Sequence, residues 1–299
     1  MASVMHPGQV EVSVDAVARA IEDQVPELAG LRIERVPSAG TEVAPFRVGE
    51  AFVARVPLVP SADADARVRL RAAAEHALFL TRRIPVEVPR PIAVGEPWDD
   101  YPGLWSLWTW VDGDSLDAAP QLDQQSLAGD LAALANAFHA LPIGADWTHN
   151  GRGGRPLADT DWVRTSIART AHLIDAVAAT AVWERALAAE PHAGPALHLS
   201  SDAVPGNLIV RDGRLAGLID IGAPMFGDPA SDLAPAWSVL DEPARSAFRH
   251  LTKLDAAAWE RGRGWAFEMA IGGLHYYEHT NQTFVEMARR TLARLLETA

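Results

Sequence analysis

Cysteine is absent from this 299-residue chain, which excludes a disulfide framework, a thiolate metal site and a cysteine nucleophile. Lysine is almost absent as well. Among 26 basic residues the single lysine is Lys253, so a basic phosphate ligand in the first half is an arginine, a planar fork of fixed charge. No uncharged run reaches the length that spans a bilayer, and no membrane partner is expected. The first residues show no basic segment leading into an apolar stretch, so secretion is not indicated and a cytoplasmic location is expected. The net charge of −13 argues against a nucleic-acid surface and is compatible with a cationic small molecule drawn to an acidic cleft. What is present is a globular composition, 48% apolar and 22% charged, in a chain long enough for two lobes.

The first part of the chain reads as strands with one strong helix. Ser13 to Gln24 is a capped helix, Leu31–Val36 alternates as a strand, and Pro45–Val48 with Ala51–Pro57 forms a hairpin around Gly49-Glu50. Ala66–Arg83 is helical, with Ala73, Ala77 and Leu80 on one side; Pro85, Pro89 and Pro91 stop it. Leu104–Val111 reads as a buried strand, its Trp105, Trp108 and Trp110 mostly core. Beyond Gly113 helices dominate: Gln124–Ala140, Trp162–Ala189, Ala244–Trp259, Ala266–Glu278 and Phe284–Ala299. In this half strands are expected only near Asn207–Val210 and Leu215–Ile219. The boundary falls near residue 112, giving a first lobe over 1–112 and a second over 113–299.

The chemistry concentrates in His198-Leu-Ser-Ser-Asp202-Ala-Val-Pro-Gly-Asn207, followed by Gly217-Leu-Ile-Asp220-Ile-Gly222. An Asp, an Asn and a second Asp separated by a short hairpin are the residue types that phosphoryl transfer uses. One carboxylate serves the attacking hydroxyl, and an amide and a carboxylate serve magnesium. Each alone reads as an ordinary turn residue; their combination carries the signal. Asp228 before Pro229 reads as a helix cap, and Asp232 as a tie between that loop and the core. Ser38–Thr41 is a phosphate-covering turn of weak independent signal. His275 and His279, four apart, lack the carboxylate pattern of a metal site. No metalloprotease helix motif and no nucleophile elbow is present.

On these segments the chain resembles the aminoglycoside phosphotransferase family of the protein-kinase-like superfamily, over almost its whole length. The supporting stretches are Phe52–Pro57, Glu75, Pro85–Pro91, Leu104–Gly113, Ser200–Val210, Leu218–Gly222 and Gly227–Leu233. The resemblance implies a bilobal α+β fold with a strand-rich first lobe that binds the nucleotide and a larger helical second lobe. It implies Asp202 as the catalytic aspartate, Asn207 and Asp220 as magnesium ligands, and Arg55 as the phosphate-holding cation oriented by Glu75. Trp108, Thr109, Trp110 and Val111 would form the linker beside adenine. The family's His-Gly-Asp is Ser200-Ser201-Asp202 here, its later histidine is Val204, and the aromatic after the metal aspartate is Ile221. Those changes remove supports behind the loop while keeping the three chemical side chains.

The expected activity is therefore magnesium-dependent transfer of a phosphoryl group from ATP, or from GTP, to the hydroxyl of a small molecule. An aminoglycoside or another antibiotic is the expected acceptor. Glu268 and Glu278 are candidate receivers of a cationic ligand or ordinary solvated charges. The rival expectation, drawn from the altered supports, is a kinase-like protein that binds a nucleotide or metabolite without turnover.

Overall fold

The computed structural model describes residues 4–38, 40–119, 122–144, 152–200 and 202–297. Among them the chain forms two compact units. The first comprises Met1–Arg82, Glu87–Gly113 and Gly217–Ala223; the second comprises Arg83–Val86, Asp114–Ala216 and Pro224–Ala299. The division is thus more than one cut near residue 112. The stretch carrying Asp220 counts with the first unit because Gly217 bridges Glu87 in parallel and Leu218 N–H donates to the Glu87 carbonyl at 2.9 Å.

In the first unit, helix α1 (Val14–Gln24) starts where Ser13 accepts a hydrogen bond from the Ala16 amide at 3.2 Å, the ordinary way to satisfy an orphan helix donor. The sheet contains β1 (Ile33–Arg35), β2 (Val43–Val48), β3 (Phe52–Pro57), β4 (Pro91–Gly95) and β5 (Trp105–Thr109). It has the order β1-β2-β3-β5-β4 and its paired strands are antiparallel. Gly49 turns the β2–β3 hairpin at φ 56°, a conformation that costs glycine little. Val17, Ala20 and Ile21 of α1 pack with Phe46, Val48, Ala54 and Val56 in one core cluster. Strand alternation decides what the sheet's other face carries: Ala54 and Val56 are buried in that core, so Arg55 between them points the opposite way. Helix α2 (Ala64–Leu80), capped by Asp63, turns His76, Ala77 and Leu80 inward and leaves Glu75 exposed.

The second unit is mainly helical. It contains α3 (Gln124–His139), α4 (Asp161–Arg169), α5 (Ala176–Leu187), the short α6 (Pro235–Ser238), α7 (Glu242–Thr252), α8 (Ala256–Tyr277) and α9 (Gln282–Leu296). Two small sheets accompany them. One is β6 (Asp114–Ser115), β8 (Leu208–Arg211) and β9 (Arg214–Leu218, whose last two residues count with the first unit), and the other is β7 (Leu197–Leu199) with β10 (Met225–Gly227). Asp212 at φ 54° and Gly213 at φ 76° supply the paired left-handed residues that a tight β8–β9 hairpin requires.

The expected helices are largely present, with two differences. Trp162–Ala189 is interrupted, α4 ending at Arg169 and α5 starting after the Asp175 cap. The break expected between Trp259 and Ala266 does not exist: α7 ends at Thr252 with Lys253 left-handed, and α8 runs unbroken to Tyr277. Gly262 and Gly264, weak helix formers inside α8, sit where neighbours press close. An added Cβ would lie 2.7 Å from Leu233 Cβ and 2.4 Å from Leu157 Cδ2 respectively. Close packing offsets the roughly 1 kcal/mol intrinsic cost of each glycine. Strands β6, β7 and β10 were not expected; segments of two or three residues are too short to display alternation. Among the described residues no helix is long and apolar enough to cross a membrane.

Candidate active site

In the second unit the site begins at β7. His198 is fully buried there, edge-on to Phe226 at 5.0 Å and Phe138 at 5.7 Å, and pairs with Phe226 across to β10. The chain then reaches Ser200, whose amide donates to Asp232 Oδ2 and whose hydroxyl donates to Oδ1, both at 3.0 Å. His139, the last residue of α3, brings Nε2 to 3.1 Å from Asp232 Oδ2. The Asp232 side chain is 1% exposed, so these donors satisfy a carboxylate that would otherwise be costly to bury. Asp232 accordingly ties the loop to the core.

Ser201 lies outside the described residues, as does Ala39 of the Ser38–Thr41 turn. Asp202 follows, in a chain of local bonds that ends in the short 3-10 turn Pro205–Asn207. Asn207 Nδ2 donates to the Asp202 carbonyl at 3.1 Å and to Asp202 Oδ2 at 2.9 Å. This orients both side chains: the amide nitrogen is held by Asp202, which turns the amide oxygen away as the available ligand atom. Asp202 remains 44% exposed, and Arg152 Nη1 stands 3.7 Å from its Oδ1.

The neighbouring loop is anchored separately. Arg261 donates from Nε to Asp228 Oδ2 at 2.6 Å and from Nη2 to Oδ1 at 3.1 Å, and from Nη1 to the Glu190 carbonyl. Asp228 also caps the turn Pro229–Leu233 through the Ala230 amide, so its role is structural, as expected.

In the first unit, Arg55 on β3 pairs with Asp220, Nη2 donating to Oδ1. Asp220 adopts φ 61°, an uncommon conformation for a residue with a side chain, immediately after the Gly217–Leu218 pairing ends. His76 Nδ1 donates to the Gly222 carbonyl at 2.8 Å and so ties the far side of this turn to α2. Burial pushes the His76 imidazole below its ordinary pKa, and the bond to Gly222 partly opposes that shift. Ile221, where the family has an aromatic residue, is buried.

Glu75 does not orient Arg55. It accepts from Arg71 Nε at 2.8 Å, one helical turn earlier on the exposed face of α2. The i,i+4 partner is closer to hand than any residue of β3, and Asp220 takes the place Glu75 was expected to hold beside Arg55. The expected linker is divided too. Trp108 is buried with its indole N–H on Ser106 Oγ, so it belongs to the core. The amides of Thr109 and Trp110 are engaged by the carbonyls of Arg90 and Ala51, while Arg47 lies over the Trp110 ring at 4.6 Å. Val111 is buried at the end of this run.

Two further residues matter that sequence reasoning did not single out. His139 is 93 residues from Asp232, and Arg152 lies in a Gly-rich connection; neither carries a local pattern that points to the site. Glu268 and Glu278 are engaged rather than free, Glu268 with Arg155 at 2.5 Å and Glu278 with His172 at 2.7 Å. The hydrogen bond from His172 holds the Glu278 carboxyl below its ordinary range.

Among the described residues, no group of three or more His, Asp or Glu gathers as a metal site. Magnesium asks for less: one or two carboxylates plus substrate phosphates and water, all oxygen donors. The Asn207 amide oxygen and the Asp220 carboxylate fit that chemistry.

Comparison with known proteins bears on the family and the fold. A profile described as the phosphotransferase enzyme family matches residues 34–265. Among solved structures, the GDP and kanamycin complex of an APH(2″) enzyme is similar, with a TM-score of 0.66 at 16% identity, covering 93% of this chain and 98% of the other. The GDP complex of wild-type aminoglycoside 2′-phosphotransferase-IIIa has a TM-score of 0.67 at 14% identity, covering 96% and 100%. A macrolide 2′-phosphotransferase from Brachybacterium faecium has a TM-score of 0.55 at 19% identity, covering 93% and 98%. No curated protein matches by sequence. At these identities the structures establish the fold, a bilobal protein-kinase-like architecture with a strand-rich first unit and a helical second unit.

Proposed function

Because the chain belongs to the phosphotransferase enzyme family by the match over residues 34–265, we propose that it transfers the γ-phosphoryl group of a nucleoside triphosphate, ATP in the first instance, to the hydroxyl of a small molecule. The observation that carries this reading is the Asp202–Asn207 pair. A half-exposed carboxylate is held in one orientation by an amide whose oxygen is left for other work.

Asp202 accepts a hydrogen bond from the acceptor hydroxyl and aims its oxygen at the γ-phosphorus. The new O–P bond forms as the bond to the β–γ bridging oxygen breaks, the nucleoside diphosphate leaves, and Asp202 takes the proton late. Arg55 supplies a fixed positive fork whose donors are divided between the phosphate oxygens and Asp220. When bound, magnesium neutralises charge on the phosphates; Asn207 and Asp220 are the residues that would hold it. Adenine recognition falls to Val111 at the end of the linker, because the Thr109 and Trp110 amides are engaged within the protein. Most of the rate enhancement then comes from positioning and preorganised charge.

An antibiotic hydroxyl is the acceptor class supported by the solved relatives, whose descriptions include kanamycin and macrolide phosphotransferase. Support for turnover, rather than mere binding, comes from Asp232. Ser200 and His139 both engage it, so the loop keeps a buried anchor although the family's histidine is a serine here. The test is a transfer screen with ATP and GTP over hydroxylated antibiotics and sugars, with mass analysis of products. Asp202→Asn is expected to fold normally and lose about 10³-fold in kcat. A folded variant that retains full transfer overturns the assignment of Asp202.

A further inference from the structure

Asp202 shares its surroundings with a cation of the protein, Arg152. The guanidinium stands 3.7 Å from the carboxylate, and both side chains are partly open to solvent. This is a placed residue. The next residue, Gly153, has φ 83°, and its carbonyl accepts from the Asp228 amide at 2.9 Å. A Cβ on Gly153 would lie 2.5 Å from Ser231 Oγ and 2.8 Å from Leu199 Cδ1. A Cβ on Gly227 would lie 1.9 Å from the Gly153 carbonyl oxygen, so two backbones touch here with no room for side chains. Asp228, in turn, is held by the buried Arg261 fork. The backbone feeding Arg152 into the site is therefore pinned to β10 and the turn after it.

Arg152 lines a small cleft with Ser200, Val204, Ser231, Asp232 and Met269. The acidic side chain beside Met269 on α8 is Glu268, and Arg155 already occupies it while lying over Trp265 at 5.0 Å. Glu278 at the far end of α8 is occupied by His172. Asp202, Glu268 and Glu278 are thus each matched by a cation of the protein itself. A fixed guanidinium near the reacting centre repels an ammonium and donates well to oxygen.

Resting on the phosphotransferase reading above, we propose that Arg152 is a specificity-determining residue that selects an acceptor presenting oxygen, not an ammonium group, beside the reacting hydroxyl. Polycationic aminoglycosides are then disfavoured although the fold is shared with enzymes that bind them. Arg152 offsets the Asp202 charge without removing the carboxylate as a hydrogen-bond acceptor, so an uncharged polyol can still be oriented.

The experiment compares wild type, Arg152→Gln and Arg152→Lys with two probes, kanamycin and an uncharged trisaccharide, maltotriose. Equilibrium binding by calorimetry is the first readout and phosphate transfer in the same samples the second. Arg152→Gln is expected to gain about tenfold in kanamycin affinity at low salt, a change that fades as ionic strength rises, without a matching gain for the trisaccharide. Arg152→Lys keeps the wild-type selectivity because it keeps the charge. A structural role would instead shift both probes together. Kanamycin binding that is no tighter in Arg152→Gln than in wild type, including no binding in either, overturns the proposal. Shifted binding with no transfer to any acceptor leaves charge selection standing and removes the proposed function. Transfer with unshifted selectivity does the reverse.

Discussion

Asp202 and Asp220 are both chain-reversal carboxylates, but the structure holds them by different means. Behind Asp202 lies a buried anchor: Asp232, almost fully buried, receives Ser200 through two donors and His139 through a third. Around Asp220 the ties are direct. The carboxylate, about as exposed as Asp202 (40% against 44%), pairs with Arg55 itself, and His76 reaches the backbone two residues on. The difference suits the proposed tasks. A carboxylate that must aim a hydroxyl gains from a rigid support, whereas one that serves phosphates and a metal must release or share its protein partner.

The sharpest way to break this contrast is to remove the buried anchor. Asp232→Ala leaves the Ser200 amide and His139 without their acceptor and is expected to destabilise by about 3 kcal/mol. Urea denaturation measures it, and a loss below the experimental error would place the loop's support elsewhere. His139→Ala should cost less, because Ser200 still satisfies the carboxylate.

A smaller effect is expected on the Asp220 side, through pH. The His76 imidazole is depressed by burial from its ordinary 6.5, so the unfolded chain takes up this proton before the folded one does. Stability from this residue is therefore complete above about pH 6.5 and falls as pH drops toward the folded value. Thermal melts between pH 7.5 and 5 should show the slope (roughly the range in which histidine titrates), and His76→Gln should flatten it. An unchanged slope in a folded variant would remove His76 as its source.

Arg55→Ala probes this tie itself. The Arg55 side chain is 19% exposed and its partner Asp220 40%, so the stability change should be about 1–2 kcal/mol, while nucleotide affinity falls about tenfold. Calorimetric titration with ATP separates the two. A large stability loss with unchanged affinity would make the Arg55–Asp220 pair purely structural.

The smallest effect belongs to Glu75→Gln. Glu75 pairs with exposed Arg71, so melting temperature and ATP affinity should both match wild type. A marked loss of affinity would restore the family role in which Glu75 orients Arg55.

Much of this molecule is legible without coordinates. The caps at Ser13, the Gly49-Glu50 hairpin and the buried run through Trp105 follow from local chemistry and alternation. The residue types Asp202 and Asn207 were legible too, but their mutual hydrogen bond, closed through one short turn, appears only in the structure. The unbroken course of α8 through Gly262 and Gly264 was not expected. Helix propensity counts them as breaks, whereas packing uses them to bring Leu233 and Leu157 close. The strands β7 and β10 were illegible because a three-residue strand has no periodicity to read.

Residue types and their order alone determined that this chain carries an Asp–Asn–Asp set suited to phosphoryl transfer, that arginine must serve where lysine is absent, and which segments wind into helices. Those properties are local, fixed by side-chain chemistry and by periods of two or 3.6 residues. Tertiary structure decided the partnerships: Arg55 with Asp220 rather than Glu75, His139 behind Ser200, and Arg152 beside Asp202. Charged and polar side chains pair with whichever complementary group the folded backbone brings within hydrogen-bonding reach. That proximity arises from packing between segments far apart in the chain, where sequence spacing carries no information.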